Sequence, residues 1–286
     1  MGIVDYVKVL RPQQWYKNLL VFLPLIFVGK AMDWPLVWIT FLGFVSLCLC
    51  SSFNYIINDI VDQKKDRVHP EKRTRPIASG KIPVSAALAL AFVLLALGLR
   101  LAYVLDKEFI YAVAFLVVLT QVYSFFLKKI AFADIITVAI NFVVRAGAGA
   151  FLLNAVISPW LVLCTFFFAL FLLAAKRYAD LLFLGKNAAS HKETFKVYTK
   201  EVANALMIIA TALLIAMYSA YSLLGEHHWL AFSLPFALFV IFRYFSLTYA
   251  GSPIARHPDK AFRDWQMVVG MLLWALSVFA AIYLHR

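Results

Sequence analysis

Nine apolar runs, near 18–33, 36–58, 84–104, 109–127, 133–154, 159–179, 203–223, 230–249 and 266–284, follow one another along the chain with little between them. The hydrocarbon core of a bilayer is about 30 Å thick and takes roughly 20 helical residues per crossing, so nine crossings use most of 286 residues. The remaining 15% charged residues cannot give such a chain a water-soluble surface when 64% of it is hydrophobic. The pattern predicts an all-α, polytopic membrane bundle of about nine transmembrane helices, forming a single membrane-embedded domain over 1–286.

The chain is basic, with 27 Lys+Arg against 15 Asp+Glu, and the placement of these charges decides what they mean. Alternate connections carry all but five of the 27: Lys30, Arg100, Lys107 and Arg286 fall on the other side, and Arg145 lies within a span. That asymmetry follows the positive-inside rule for an odd number of crossings, with the N-terminus cytoplasmic and the C-terminus outside in a cell membrane. The net charge therefore needs no nucleic-acid partner. The polar loops 59–82, 180–201 and 250–265 all fall on the cytoplasmic face, where function is expected. Cys48, Cys50 and Cys164 sit in apolar stretches, where cysteine behaves as a small hydrophobe, and no disulfide is expected. Neither a cleavable signal peptide nor a myristoylation pattern is expected at the start of the sequence.

Asn58, Asp62 and Asp66 are spaced i, i+4, i+8, which on a helix drifts only about 40° per step and keeps all three on one face. Asp59 lies one position round. Oxygen side chains lined up where an apolar span ends suit Mg²⁺, a hard ion that retains waters and shares a few carboxylates with substrate phosphates. The cations that follow, His69, Lys72, Arg73 and Arg75, are placed to grip phosphate oxygens. A solvated helix end would scatter such charges instead of abutting them to a span.

The run Asn58-Asp59-x-x-Asp62-x-x-x-Asp66, followed by Arg75-Pro76-Ile77-Ala78-Ser79-Gly80, resembles the first aspartate motif of the UbiA superfamily of all-helical membrane prenyltransferases. The resemblance implies a UbiA-like bundle in which this motif binds the Mg²⁺-diphosphate of the donor at the cytoplasmic mouth. Asn58, Asp62 and Asp66 become the implied metal ligands and catalytic residues. Arg11-Pro12-x-Gln14-Trp15-x-Lys17-Asn18, with His69-Pro70-x-Lys72, is similar to the decaprenyl-phosphate phosphoribosyltransferase branch. That branch implies phosphoribosyl diphosphate as donor and a polyprenyl phosphate as acceptor, with Lys17, Asn18, Asp59, Lys72, Arg73 and Arg75 among the substrate contacts. Without the resemblance, Trp15 and Lys17 would read as an interfacial anchor.

The family's second Asp-x-x-x-Asp motif has no counterpart here. From 160 to 205 the acids are Asp180, Glu193 and Glu201, none four apart, and Lys176-Arg177-Tyr178-Ala179-Asp180 stands in the motif's place. A basic pair suits a phosphate bound directly, because Lys and Arg donate to it and Arg does so bidentately. Lys176, Arg177 and Tyr178 are the expected contacts of a phosphorylated acceptor. Arg145, costing at least about 2.5–3.5 kcal/mol if left unpaired at mid-membrane, should face the bundle interior and meet a substrate phosphate or a carboxylate.

Two other readings remain open from the sequence: an ordinary prenyl transfer from a prenyl diphosphate to an aromatic acceptor, and a transporter or flippase. The second fits poorly, since transporter sites gather at the bilayer midplane and the polar residues here gather at one face. A homo-oligomer is compatible with such a bundle.

Overall fold

The computed structural model describes residues 2–68, 72–185 and 193–284. His69, Pro70 and Glu71 of the first motif, and Lys186 and Lys192 of the second polar loop, lie outside the described residues. The described residues form helices joined by turns and short loops, without a strand, and eight helices are long and apolar enough to cross a membrane. The chain is thus a multi-pass integral membrane protein. Large apolar side chains such as Phe92, Tyr111 and Leu276 are well exposed along these helices, which is the inverse of a water-soluble surface and is what lipid requires.

The ninth expected crossing, 18–33, is built differently. After α1 (Ile3–Leu10), an eleven-residue 3-10 helix (Pro12–Phe22) runs into the short α2 (Leu23–Phe27), and α3 (Trp34–Val61) follows. Pro24 has no N–H to bond back to Leu20, and the Leu20 carbonyl instead accepts from Leu23 N, one residue closer, so the tighter winding persists to the end of the segment. Contacts with α3 run antiparallel in register: Arg11 with Asp59, Trp15 Nε1 with Ser52 Oγ at 3.1 Å, Asn18 Nδ2 with Cys48 Sγ at 3.3 Å, and Phe22 with Phe44, ring centroids 6.1 Å apart. From 44 to 59 an α-helix rises about 22 Å. From 11 to 22 the 3-10 helix covers the same roughly 22 Å with fewer residues, at about 2.0 Å each. A stretched segment therefore keeps pace with α3 from 44 to 59, where an α-helix of the same residues would fall short.

The chain gathers into two compact units, one comprising Met1–Phe125 with Val144–Ile157, the other Phe126–Val143 with Ser158–Arg286. In the first, α3 packs along α5 (Val84–Leu105), with α6 (Lys107–Phe125) beside them. α3 and α5 come close together at Gly98, where an added Cβ would lie 2.6 Å from Cys50 Sγ, and Ser46 Oγ donates to the Gly98 carbonyl at 2.8 Å. Small residues at such a crossing let backbones and not only side chains meet, which is how helices adhere in lipid.

Helix α7 (Ala133–Leu152) supplies residues to both units. Asp134, Thr137, Asn141 and Arg145 recur on one of its faces and are all buried. In the second unit, α8 (Pro159–Leu184) packs along α9 (Lys200–Leu224), and Phe171 stands between Tyr244 and Phe245 at centroid distances of 5.3 and 5.4 Å. Arg243 grips Asp264 with two bonds of 3.1 and 2.6 Å, while Asp264 Oδ1 also caps the last helix (Trp265–Tyr283) through Met267 N. The hydrogen bond from Arg243 holds the Asp264 carboxyl below the usual carboxylate range.

Candidate active site

The helix that carries Asn58 does not end cleanly where α3 stops. Asp62 N still bonds to the Asn58 carbonyl at 2.9 Å, and Asp66 N, within α4 (Gln63–Val68), to the Asp62 carbonyl at 2.8 Å. Helical i+4 bonding thus carries through the junction, and Asn58, Asp62 and Asp66 share the face their spacing implies. Asn58 and Asp62 are half-buried; Asp59 and Asp66 are only 4% and 3% exposed.

Buried carboxylates need compensating charge. It comes from two arginines distant in sequence. Arg75 Nη1 donates to Asp66 Oδ2 at 2.5 Å and to Asp59 Oδ1 at 3.1 Å, and the same Asp59 oxygen accepts from Arg11 Nη2. Four groups alternate in sign: Arg11, Asp59, Arg75, Asp66. Burial lowers the pKa of Arg11 and the Asp59 charge acts in the opposite direction; a guanidinium so placed stays protonated.

The segment that presents Arg75 is tied down by side chains of α4 that bond to its backbone. Gln63 Nε2 donates to the Ile77 carbonyl at 3.0 Å and Arg67 Nε to the Ala78 carbonyl at 3.1 Å, clamping the loop onto α4. Ile77 is fully buried, and Gly80, at φ +76°, closes the turn in a conformation that other residues resist. Ile77, Ala78 and Gly80 of the Arg75-Pro76-Ile77-Ala78-Ser79-Gly80 run thus fix the loop from which Arg75 projects. Lys72, half-buried, and Arg73, exposed, precede it on a single 3-10 turn.

Lys17 and Asn18 lie on the 3-10 helix in the same unit. Lys17 Nζ bonds to Gln14 Oε1 at 2.7 Å. Asn18 is buried at the centre of a polar knot in which its Oδ1 accepts from Arg145 Nε at 2.8 Å and from Ser51 Oγ at 3.3 Å. Arg145 is 7% exposed, facing protein as its cost in lipid requires. Close approach here is permitted by Gly149, whose missing side chain would otherwise overlap the Val21 carbonyl.

Lys176, Arg177 and Tyr178 belong to the second unit. Arg177 is buried, bonded to Asp134 Oδ2 at 2.9 Å, with Asp180 3.8 Å away. Asp134 is fully buried and also accepts from Tyr198 Oη at 2.8 Å; burial, and then the bond to Asp134, push the Tyr198 phenol well above its usual pKa. Asp180 receives Arg256 Nε at 3.2 Å, and Arg256 lies over the Phe183 ring, 3.8 Å from its centroid. Tyr178 meets Tyr249 edge to face, centroids 5.3 Å apart, and Lys176 is half-buried. Arg177 thus has a carboxylate for its charge. Sequence reasoning had no assignment for Asp134, Tyr198 or Arg256, nor for Arg11 as a site residue; a lone acid at the start of an apolar span was the available sign for Asp134.

Among the described residues no three His, Cys, Asp or Glu side chains gather as a metal cage. The set Asn58, Asp62, Asp66 offers oxygen donors alone, which fits a magnesium ion sharing its coordination with substrate and water and does not fit a softer ion that wants sulfur or imidazole.

With this geometry in place, the likeness to known proteins is direct. The chain is 31% identical to decaprenyl-phosphate phosphoribosyltransferase of Mycolicibacterium smegmatis, covering 97% of this chain and 92% of that one. It is 30% identical to the protein of the same name from Corynebacterium glutamicum, over 97% and 86%. Its fold superposes on a UbiA homolog from Archaeoglobus fulgidus bound to GPP and Mg²⁺ with a TM-score of 0.72, at 22% identity, covering 97% of this chain and 99% of that one. Residues 19–267 match the UbiA prenyltransferase family, and the chain, an intramembrane transferase, belongs to it.

Proposed function

We propose that this enzyme moves the 5-phosphoribosyl group from 5-phosphoribosyl-1-diphosphate to a polyprenyl phosphate, releasing diphosphate, and that it uses Mg²⁺. The observation that carries the reading is at the end of α8, where the family's second acid motif would stand: the acid in that place, Asp180, is engaged by Arg177 and Arg256, and Lys176 stands beside it. A site so furnished suits an anionic acceptor. The relatives named decaprenyl-phosphate phosphoribosyltransferase support the same reading.

Asn58, Asp62 and Asp66 would hold the metal, whose chemistry is to neutralise charge on the departing diphosphate. Arg75, Lys72 and Arg73 grip the donor's phosphate oxygens, and Lys17 extends the cationic set. An acceptor phosphate has a second pKa near 6, so it arrives ionised and needs no general base. One of its oxygens forms the new bond to ribose C1 as the C1–O bond to diphosphate breaks and the electron pair leaves with diphosphate. Orientation and electrostatics supply the rate, as expected when both partners already carry the required charge. The 1–286 chain acts as one transferase domain with its site on the cytoplasmic face of a cell membrane.

The test is direct: purified protein, labelled phosphoribosyl diphosphate, Mg²⁺ and a polyprenyl phosphate should yield a labelled lipid and free diphosphate. Turnover of a prenyl diphosphate with an aromatic acid, and none with the first pair, would overturn the reading in favour of ordinary prenyl transfer.

A further inference from the structure

We propose that Arg11 and Asp59 are positioning residues of the donor site: together they set how Arg75 divides itself between Asp59 and Asp66, and hence how readily Asp66 takes a divalent cation. This rests on the assignment of Asp62 and Asp66 as metal-binding oxygens. It moves Asp59 from the substrate contacts that the sequence suggested to the support beneath them.

The geometry is a shared-counter-ion arrangement. One nitrogen of Arg75 reaches both Asp59 Oδ1, at 3.1 Å, and Asp66 Oδ2, at 2.5 Å. Asp59 is the more deeply provided for, since Arg11 meets the same oxygen. Arg11 sits closer to that oxygen than Arg75 does, and Arg75 lies closer to Asp66 than to Asp59. Arg11 is itself fixed. It occupies a left-handed backbone conformation, φ 53° and ψ 57°, at the joint where α1 ends and the 3-10 helix begins, and its guanidinium lies 5.4 Å from the centroid of the Tyr55 ring. A non-glycine residue held there is a local cost that surrounding structure must sustain. Its side chain spans 48 positions of sequence to reach Asp59.

The consequence has a sign. Removing Arg11 leaves Asp59 with Arg75 alone, draws that guanidinium away from Asp66, and frees Asp66 for a cation. Removing the Asp59 charge does the reverse, because Arg75 then serves Asp66 only. Full-length protein in nanodiscs, without donor, titrated with Mn²⁺ and followed by electron paramagnetic resonance, reads this directly. Arg11→Met should tighten Mn²⁺ binding about three- to tenfold and Asp59→Asn should weaken it by a similar factor, the scale of a charge-assisted contact. In an Arg75→Met background both effects should vanish.

That last condition separates positioning from simple field effects, which would persist without Arg75 and so overturn the proposal. A merely structural role predicts weaker binding for both variants, and that result overturns it too. Arg11→Lys, which keeps the charge but loses the planar fork, should shift binding in the same direction as Arg11→Met and less far; it carries the test if the Met variant fails to fold. If wild-type protein bound no Mn²⁺, or if Asp62→Asn bound it unchanged, the metal assignment itself would fall and this proposal with it.

Discussion

Asp62→Asn or Asp66→Asn should abolish transfer while the protein stays folded, since each removes one charge and keeps the shape; turnover should fall by orders of magnitude, with the thermal unfolding curve unchanged for the half-buried Asp62 and shifted to lower temperature for Asp66, which loses its buried ion pair with Arg75. Near-wild-type turnover at limiting Mg²⁺ would refute the assignment of these oxygens. The basic pair divides under the same scrutiny. Lys176→Ala should raise the apparent Michaelis constant for polyprenyl phosphate roughly tenfold with little effect on the donor's, as loss of one charge-assisted phosphate contact of about 1.5–3 kcal/mol would. Arg177→Ala should instead destabilise the fold by about 3–5 kcal/mol, because Asp134 beneath it would remain buried without its cation. Asp134→Asn in the same chain should recover folding, which a denaturation series would show. At this scale the sequence was half legible. The spacing of Asn58, Asp62 and Asp66 is local, and one helix face follows from it. Pairings such as Arg11 with Asp59 and Arg177 with Asp134 join residues 48 and 43 positions apart, and no periodicity announces them.

Among the elements, the glycines of α7 offer a paired comparison. A Cβ at Gly149 would overlap the Val21 carbonyl of the 3-10 helix, a backbone atom that cannot swing aside, whereas a Cβ at Gly147 meets Ile157 Cδ1 at an ordinary 3.8 Å. Gly149→Ala should therefore cost about 1–3 kcal/mol through forced displacement, and Gly147→Ala little. Apparent Tm values in the same detergent decide it; equal shifts would mean that the close contact at Gly149 is not what holds this crossing. Eight crossings were readable from length and hydropathy because an α-helix converts a run of apolar residues into a fixed span. The remaining one was readable as apolar but not as 3-10. Its winding depends on the proline at 24 and on the need to keep pace with α3, and the latter is a tertiary demand that overrides local preference.

For the whole molecule the unusual segment has a consequence for topology. If residues 12–27 cross the membrane, the count is nine and the two ends of the chain face opposite sides; if they do not, the count is eight and both ends face the same side. Three observations within the first unit favour the crossing. Arg11 meets Asp59 near the C-terminal end of α3, Lys81 Nζ lies 4.0 Å from Asp5 Oδ1 of α1, and the contacts between the two elements proceed in antiparallel order from Arg11 to Phe22. Helix α1 thus sits at the level of the loop that follows α3, and the chain can return to the start of α3 only by traversing its length. On the orientation proposed from the charge distribution, α1 and the loop 59–82 would both face the cytoplasm. Single cysteines at Val4, Val68, Val156 and Leu284, each well exposed, test this with a membrane-impermeant maleimide in a background where Cys48, Cys50 and Cys164 are replaced by serine or alanine. Positions 4 and 68 should react only after the cells are permeabilised, and 156 and 284 in intact cells. A cysteine at 190 should behave like 68. Reaction of position 4 from outside, with 68 still protected, would mean that the 3-10 segment fails to cross; reaction of 68 or 190 from outside would invert the whole assignment and move the donor site to the opposite face, away from any cytoplasmic pool of phosphoribosyl diphosphate.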